Sequence, residues 1–516
     1  MQDQTETELK LSLGEEAAER LVASDFWQGL SDQGSASHHS IYFDTPDRRL
    51  LRHGFTLRRR RVGNRLEQTL KMNLAADGAA NGGSGGSVSR REWTWPVEAP
   101  DAPLAHLDSV EPLQAVKGLD LAELAPQCEV TYERQKRGWV ENGLAVELAL
   151  DIGQIRANGH AEAISELELE LQHGAPGGLF ALAQSVNEVV PVHPFFASKG
   201  GRGLSLLERE AKEWHKAKSP RLAADAVLDD VLAVLMGNAM EHLLANLDCA
   251  RTGAHPEGVH QVRVALRRLR AMLKLLEPVL PQRSAQMLER RLGNLAGALG
   301  PVRDLDVFRE TVSQASNVIG DEFAAQQLDR IVASMQAEAQ AEATRALTSL
   351  DFGALMIDLS RWLSLHSWRD QPVSAQSALL FAPATQGLVA PLERLHKKVR
   401  KRGKSFERLD AEQRHRLRLA IKKLRYALDL FGSLFDGKQT KAFRKALTHL
   451  QDRLGHENDI AVAAQITERI IARRPSAPVV QAAGAVLGAL RLQDGNERQA
   501  TNGDWQEFIN RIPPWR

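Results

Sequence analysis

Glu6-Thr7-Glu8-Leu9-Lys10 sets two carboxylates and an ammonium at alternate positions, with Leu9, Leu11 and Leu13 at the positions between. In a strand, alternate side chains share a face, so the segment reads as a strand with one charged and one apolar face. The pattern returns downstream in sorted form. Arg58 and Arg60 share a face, and Glu67, Thr69 and Lys71 line up on the next strand. Arg90 and Glu92 follow, then Arg134 and Lys136, then Glu147 and Asp151, and last Glu166-Leu167-Glu168-Leu169-Glu170-Leu171. Acidic strands therefore stand at both ends and basic strands between them. Carboxylates hold hard divalent cations, and Arg and Lys hold phosphate oxygens. A surface that gathers both suits a metal–polyphosphate substrate. Any one of these charges, taken singly, reads first as a solvated strand face; the ordered set does not.

These strands must be positioned by a chain of 516 residues, too long for one core, so two or three domains are expected. Charged residues make up 25% and hydrophobic residues 43%, the balance of an ordinary globular protein. The net charge of +1 gives no global pull toward nucleic acid or membrane, so any polyanion site must come from local clustering. Cys128 and Cys249 are the only cysteines and lack metal-ligand spacing, which points to a reducing cytoplasm. The acidic, polar N-terminus does not suit a signal peptide, and no apolar run approaches the ~20 residues needed to span a bilayer.

Up to about residue 205 the chain reads as β-rich, with turn signals at Thr45-Pro46-Asp47, Val62-Gly63-Asn64 and Glu141-Asn142-Gly143. The run from Asp77 to Ser87 (DGAANGGSGGS) is a loop by composition, read as a long hairpin connection. His38-His39 reads as a solvated pair in a Ser-rich loop, because no Cys, His or carboxylate cluster completes a metal set. Trp93 and Trp95 alternate with Glu92 and Thr94 and are expected on the apolar side. Near residues 208–222 a charged stretch is broken by Pro220, and beyond it the pattern is helical.

This second region contains a repeat. His260-x-x-Arg263-x-x-x-Arg267-Arg268-x-Arg270 matches His415-x-x-Arg418-x-x-x-Lys422-Lys423-x-Arg425. Leu299-Gly300-x-x-x-Asp304-x-x-Val307 matches Leu454-Gly455-x-x-x-Asp459-x-x-Val462, at the same 155-residue offset. Two motifs with one offset point to a duplicated helical unit. On a helix, His260, Arg263, Arg267, Arg270 and Lys274 fall on one face, with Val262, Leu266, Leu269 and Leu273 opposite. A solvated outer face is the ordinary reading of one such helix. Two observations oppose it: like charges at i,i+4 repel, and residues 391–425 hold fourteen Lys and Arg against four Asp and Glu. A duplicated basic face suits an extended polyanion. Sparse aromatics near these helices argue against base stacking, and so against single-stranded nucleic acid.

The first region resembles the CYTH superfamily of triphosphate tunnel proteins. The resemblance rests on Glu6-x-Glu8-x-Lys10, Tyr42-Phe43-Asp44-Thr45-Pro46-Asp47, Leu57-Arg58-Arg59-Arg60, Thr69-Leu70-Lys71 and Arg90-x-Glu92. It continues through Glu147-x-x-x-Asp151-x-Gly153, Glu166 to Leu171, and Ser198-Lys199-x-x-Arg202-Gly203. The second region resembles the CHAD domain, a helical module with conserved histidines that binds polyphosphate in its family. The tandem is similar to bacterial CYTH–CHAD inorganic triphosphatases.

The resemblance implies an α+β chain: an N-terminal eight-stranded antiparallel β-barrel tunnel with flanking helices, then an all-α domain of two pseudo-symmetric helical bundles. The tunnel domain would span 1–207, a linker 208–222 and the helical domain 223–516, with halves of about 223–380 and 381–516. The tunnel would be open at both ends, its charged face turned inward and its apolar face covered by helices at 15–30 and 177–190. The implied reaction is hydrolysis of tripolyphosphate to pyrophosphate and phosphate. Arg58, Arg60, Lys71, Arg90, Arg134, Lys136, Lys199 and Arg202 would bind substrate. Glu6, Glu8, Glu166, Glu168, Glu170, Glu147 and Asp151 would hold Mg²⁺ or Mn²⁺, with Lys10, Glu6 and Glu8 catalytic. Alternation favours Lys136 as the inward residue, and a bulge would select Arg137 instead. In the second region His260, Arg263, Arg267, Arg270, His415, Arg418, Lys422 and Arg425 would bind long-chain polyphosphate. The implied location is the cytoplasm, with polyphosphate granules as a further expectation; no membrane partner and no specific nucleic acid are expected. Two alternatives stay open: an adenylate cyclase or thiamine triphosphatase of the same fold, or a non-catalytic polyphosphate binder. No base-binding set is visible for a cyclase, and a mere binder has no use for the acidic strands.

Overall fold

In the computed structural model the alternation becomes a nine-stranded antiparallel sheet. The structure describes residues 7–63, 65–73, 90–99, 104–207, 214–319, 322–473 and 476–516. Two compact units divide the chain: residues 1–212 with 348–367, and residues 213–347 with 368–516.

The strands of the first unit are β1 (Glu8–Ser12), β2 (Ser31–Asp44), β3 (Phe55–Val62), β4 (Arg65–Asn73), β5 (Arg90–Pro96), β6 (Ala125–Glu141), β7 (Leu144–Ala157), β8 (His160–His173) and β9 (His193–Pro194). They lie in the order β5-β4-β3-β2-β6-β7-β8-β1-β9. The eight expected strands are β1 to β8, and the two-residue β9 adds to the edge of β1. Among the described residues no pairing closes β5 onto β1 or β9. Asn142-Gly143 and Asn158-Gly159, all at positive φ, turn β6 into β7 and β7 into β8. That is the backbone a tight hairpin requires.

The order explains the sorting of charge along the chain. β1 comes first in sequence but pairs with β8, so the acidic strands from both ends of the region become neighbours. Opposite positions are Glu8 and Glu170, Lys10 and Glu168, and Ser12 and Glu166. On the other side of β8, Glu147 faces Glu170 and Asp151 faces Glu166. Asp151 in turn faces Arg134 on β6. The basic strands follow through β2 to β3 and β4, where Arg58 faces Thr69 and Arg60 faces Glu67. An acidic wall (β7, β8, β1) therefore adjoins a basic wall (β6 through β4) on one face.

The opposite face is apolar and covered by helices, as expected. Helices α1 (Glu15–Val22) and α2 (Asp25–Gln28) pack Ala17, Ala18, Leu21 and Trp27 onto Leu9, Leu11, Leu148, Leu150, Leu167 and Leu169. Under the other half of the sheet, α3 (Arg49–Arg52) and α4 (Glu111–Gln114) give Leu50 and Leu113 to a core with Phe55, Leu57 and Leu70. Trp93 and Trp95 lie against that core, on the expected side. Helix α5 (Gly177–Val189) joins the α1 core through Leu179, Leu182, Ala183 and Val186.

One end of the charged face is filled, which corrects the expectation of a tunnel open at both ends. Helix α6 (Lys199–Leu206) packs Leu204 and Leu206 against Tyr42, Cys128, Val130, Ile155 and Ile164. By strand parity these residues share the face that carries Arg134 and Asp151. A Cβ on Gly200 would stand 2.3 Å from Tyr42, and one on Gly203 would stand 2.3 Å from the Cys128 sulfur. Only glycine lets α6 seat this closely.

The second unit is helical: α7 (Leu228–Ala245), α8 (Leu247–Thr252), α9 (Pro256–Leu275), α10 (Gln282–Ala298), α11 (Gly300–Ile319) and α12 (Glu322–Leu347). Helix α13 (Leu350–Ser364) returns to the first unit, where Ile357 enters the α5 core and Asn187 Nδ2 donates to Leu350 O (2.9 Å). The second unit resumes with α14 (Ala384–Arg402), α15 (Ala411–Phe431), α16 (Gly437–Arg473) and α17 (Ala477–Ile509). Adding 155 to the bounds of α7, α9 and α12 gives 383–400, 411–430 and 477–502, close to α14, α15 and α17. The repeat therefore extends to whole helices. Where α10 and α11 separate, Pro301 follows Gly300; the matching Gly455-His456 has no proline, and α16 runs through. The repeats interlock, since α11 and α12 share one core with α16 and α17.

Candidate active site

The acidic wall concentrates around three carboxylates. Asp151, Glu166 and Glu168 each offer an oxygen within 4.8 Å of the others, and all three are buried. Buried like charges at this spacing require cations. Lys199 Nζ lies 2.7 Å from Asp151 and 3.2 Å from Glu168, and it also pairs with Glu166. Arg134 donates to both oxygens of Asp151 (2.7 and 2.6 Å) and to Glu168 (2.6 Å). Lys10 Nζ lies 3.1 Å from Glu168 and 3.5 Å from Glu8. Arg202 closes from α6, at 2.6 Å from Glu162 and 3.0 Å from Glu166. Burial opposes the charge on Lys10 and Lys199, but the surrounding carboxylates outweigh it and raise both ammonium pKa values. Burial likewise opposes ionisation of Glu168, yet Lys10, Lys199 and Arg134 hold its carboxyl well below the usual range.

The structure brings most of the sequence-predicted residues onto this face. Glu8, Glu170 and Glu147 occupy consecutive register positions, one step from the three-carboxylate cluster. Lys136 pairs with Glu147 at 2.6 Å, whereas Arg137 lies over Trp27 on the covered side. Alternation therefore holds on β6, and the inward residue is Lys136. On the basic wall Arg60 Nε donates to Glu67 (2.8 Å) and Lys71 pairs with Glu92 (2.6 Å). Arg58 is raised above the usual range: burial opposes its charge, but Tyr42 and Glu92 outweigh it. Glu6 lies outside the described residues. Arg90 pairs in register with Asn73, but its side chain lies outside them too.

His38-His39 corrects the loop reading. The Ser-rich segment is β2, and alternation splits the pair. His39 faces outward and pairs with Glu129 at 2.6 Å. His38 turns inward, 8% exposed, and stacks on Tyr132 with ring centroids 4.7 Å apart. Burial, then Arg134 and Arg60, push its pKa down to about 4. Tyr132 also carries Arg134 at 5.6 Å and Lys199 at 5.0 Å over its ring. His38 and Tyr132 stand outside the set of site residues that the sequence pattern marks. The signal is present, because both share strand parity with residues of that set.

A second cluster lies in the helical unit, where α9 meets α15. Arg267, Lys422 and Arg425 surround the Tyr426 ring at 4.5, 5.8 and 5.3 Å. Burial, reinforced by Arg267, Arg418 and Arg263, lowers Lys422 to about 8. Burial also lowers Arg263 and Arg267, each with help from neighbouring arginines. His260 falls to about 4, from burial and then Arg303. Asp429 lies 3.8 Å from Arg425 and Asp304 acts on Arg263, yet burial and the neighbouring cations still lower Arg263, Arg267 and Lys422. The predicted arc is not uniform, however. Arg270 is held by Glu289 of α10 (2.9 Å), Arg263 donates to Ala296 O (2.6 Å), and Arg425 donates to Gln451 (2.7 Å). Among the described residues, Arg418 Nε is buried without a hydrogen-bond partner. His415 is exposed while its counterpart His260 is half-buried, so the repeats are not equivalent.

Comparison with known proteins places both regions. Residues 4–194 match the CYTH domain and residues 234–468 match the CHAD domain. The crystal structure of the CHAD domain from the plant Ricinus communis is 29% identical, with a TM-score of 0.50, over 58% of this chain and 98% of that one. A putative adenylyl cyclase from Hippeastrum, described as having a dominant triphosphatase activity, is 18% identical with a TM-score of 0.30, over 40% and 97%. PptA from Streptomyces chartreusis is 19% identical with a TM-score of 0.40, over 55% and 100%.

Proposed function

Because the chain joins a CYTH domain to a CHAD domain, we propose that it is a metal-dependent inorganic triphosphatase with a helical module that binds long-chain polyphosphate. The observation that carries the reading is the buried cluster of Asp151, Glu166 and Glu168 on the same face as Arg58, Arg60, Lys71 and Arg134. Hard divalent cations take oxygen donors, and this cluster offers carboxylates alone, so Mg²⁺ or Mn²⁺ fits it. Asp151, Glu166 and Glu168 would hold the ion, with Glu8 one register step away. When bound, such an ion neutralises phosphate charge and makes a bound water more acidic.

The chain's own residues do the remaining work. Phosphoryl transfer asks chiefly for positioning and charge neutralisation. Arg60 and Lys71 rest on Glu67 and Glu92, and a triphosphate of higher charge would draw them off. Arg58, Arg134, Lys136, Lys199 and Arg202 would grip its other oxygens, and α6 closes one end of the face against water. Lys10, between Glu8 and Glu168, would orient the terminal phosphate. In the helical unit, the weakly compensated cations around Tyr426 support a polyanion without bases. Cys128 and Cys249 are both buried thiols, which suits a reducing compartment such as the cytoplasm. No helix among the described residues is long and apolar enough to cross a membrane.

The test is phosphate release from tripolyphosphate, ATP and thiamine triphosphate, each with Mg²⁺ and with Mn²⁺. Preferred turnover of tripolyphosphate is expected. A preference for ATP with cyclic product, or no turnover of any of the three, would overturn the reading.

A further inference from the structure

Lys199 stands where a metal ion would stand. Its ammonium reaches Asp151, Glu166 and Glu168 together, whereas Arg134 reaches two of them and Lys10 one. Its side chain is 10% exposed and Asp151 is fully buried. Three carboxylates this close are tolerated in a buried site only around a cation. A divalent ion entering the cluster would meet that ammonium at contact distance, and the two cannot share the site.

The way out lies in the side chain. Lys199 is the first residue of α6, and Ser198 caps the helix by accepting from Gly201 N (3.0 Å). Gly200 is wedged against Tyr42, which fixes the backbone beside it. The four-carbon stem can swing while the helix stays, and the amine holds its partners as a rotatable point charge rather than a fixed fork.

We propose that Lys199 is a displaceable internal counter-ion. It fills the carboxylate cluster in the metal-free protein, leaves as the divalent cation enters, and is thereby released to the substrate phosphates. Metal and triphosphate then bind in order, metal first. The inference rests on the metal site proposed above and adds the role of Lys199 to it. It also accounts for a lysine rather than an arginine at the start of α6.

The experiment is Mn²⁺ titration of the full-length protein without substrate, followed by calorimetry or by the electron paramagnetic resonance of free Mn²⁺. Lys199→Met should tighten Mn²⁺ binding about tenfold or more, within the 5–150-fold range of ordinary coupling between sites. Lys199→Arg, which keeps the charge, should bind no tighter than wild type. Metal-free Lys199→Met should melt lower than wild type and gain more from added Mn²⁺. If Lys199→Met is too unstable to titrate, Lys199→Gln serves the same comparison. Unchanged or weaker Mn²⁺ affinity in Lys199→Met or Lys199→Gln overturns the proposal, as does equal tightening in Lys199→Arg. Glu168→Gln separates the two readings. If it leaves Mn²⁺ affinity at the wild-type value, the metal site itself is misplaced. If it abolishes binding while Lys199→Met changes nothing, the counter-ion role alone fails.

Discussion

Lys422 gives a prediction whose size follows from its surroundings. Burial among Arg267, Arg418, Arg263 and Arg425 brings its ammonium down from 10.5 to about 8. A bound phosphate chain would neutralise those arginines and return the amine toward its ordinary range. Above pH 8 the free protein has lost this proton, so binding must recapture it. With a free value of about 8 and a bound value near 10.5, affinity should fall about 20-fold between pH 7.5 and pH 9.5. Lys422→Arg should bind at pH 7.5 much as wild type does and show a nearly flat profile, because the guanidinium does not titrate there. The sign for stability runs the other way. The unfolded chain keeps this proton to about 10.5 and the unliganded fold only to about 8, so the fold gains stability as pH rises through that window. The assay is a filter-binding titration of long-chain polyphosphate at fixed salt. Equal pH dependence in wild type and Lys422→Arg would refute the reasoning and remove Lys422 from the binding face.

Three further outcomes are expected. Glu8→Gln should abolish tripolyphosphate turnover while leaving phosphate-chain binding largely intact; near-wild-type phosphate release would take Glu8 out of the mechanism. Arg60→Ala and Lys71→Ala should each lose on the order of 10²–10³ in rate, as groups neutralising transferring phosphoryl charge. Arg59→Ala should keep its rate but melt lower, because Arg59 is 6% exposed and lies 5.6 Å over Phe43 on the covered side; equal rate losses at Arg59 and Arg60 would mean the register is misread. Removing residues 223–516 should abolish long-chain polyphosphate binding, as should Arg267→Glu with Lys422→Glu, while tripolyphosphate hydrolysis survives in both. The deletion should also lower the melting temperature of the first unit, since α13 takes Ile357 out of its core; a fully buried aliphatic side chain contributes about 1.5–3 kcal/mol.

Local chemistry made the sheet legible where it repeats. Glu168 and Glu170 alternate with leucines, and a period of two leaves each carboxylate one choice of face. The same rule placed Arg134 with Lys136 and put Arg137 on the other side. The rule was equally available for His38 and Tyr132. There it was hidden by composition, because Ser31 to Ser40 has the residues of a loop and becomes a strand through its pairing with β6 and, from His38 on, with β3 as well. Long-range contact decides such a segment, not propensity. The closed end of the charged face was likewise hidden. Ser198-Lys199-x-x-Arg202-Gly203 announced two cations, but Gly200 and Gly203 take their meaning from Tyr42 and Cys128, which lie far away along the chain.

The same limit applies to the boundary between the units. Residues 350–364 read as one more helix in a helical region, with nothing local to mark them. Their allegiance shows only in contacts: Gln184 Nε2 donates to Ala354 O (3.1 Å) and to Asp358 (3.0 Å), and a Cβ on Gly353 would fall 2.0 Å from Asn187 Oδ1. Gly353 is thus required by a surface more than 160 residues earlier in the chain. A duplicated helical unit built by local periodicity alone has no need of that glycine. Its presence ties the first unit to a segment that the sequence pattern assigns to the second. Gly353→Ala should therefore destabilise the sheet unit, although the substitution lies in a helix where alanine is the better former. Melting followed through the tripolyphosphate rate, beside melting followed through polyphosphate binding, distinguishes the two: loss of the first at lower temperature than the second is expected, and the reverse order would return α13 to the helical unit.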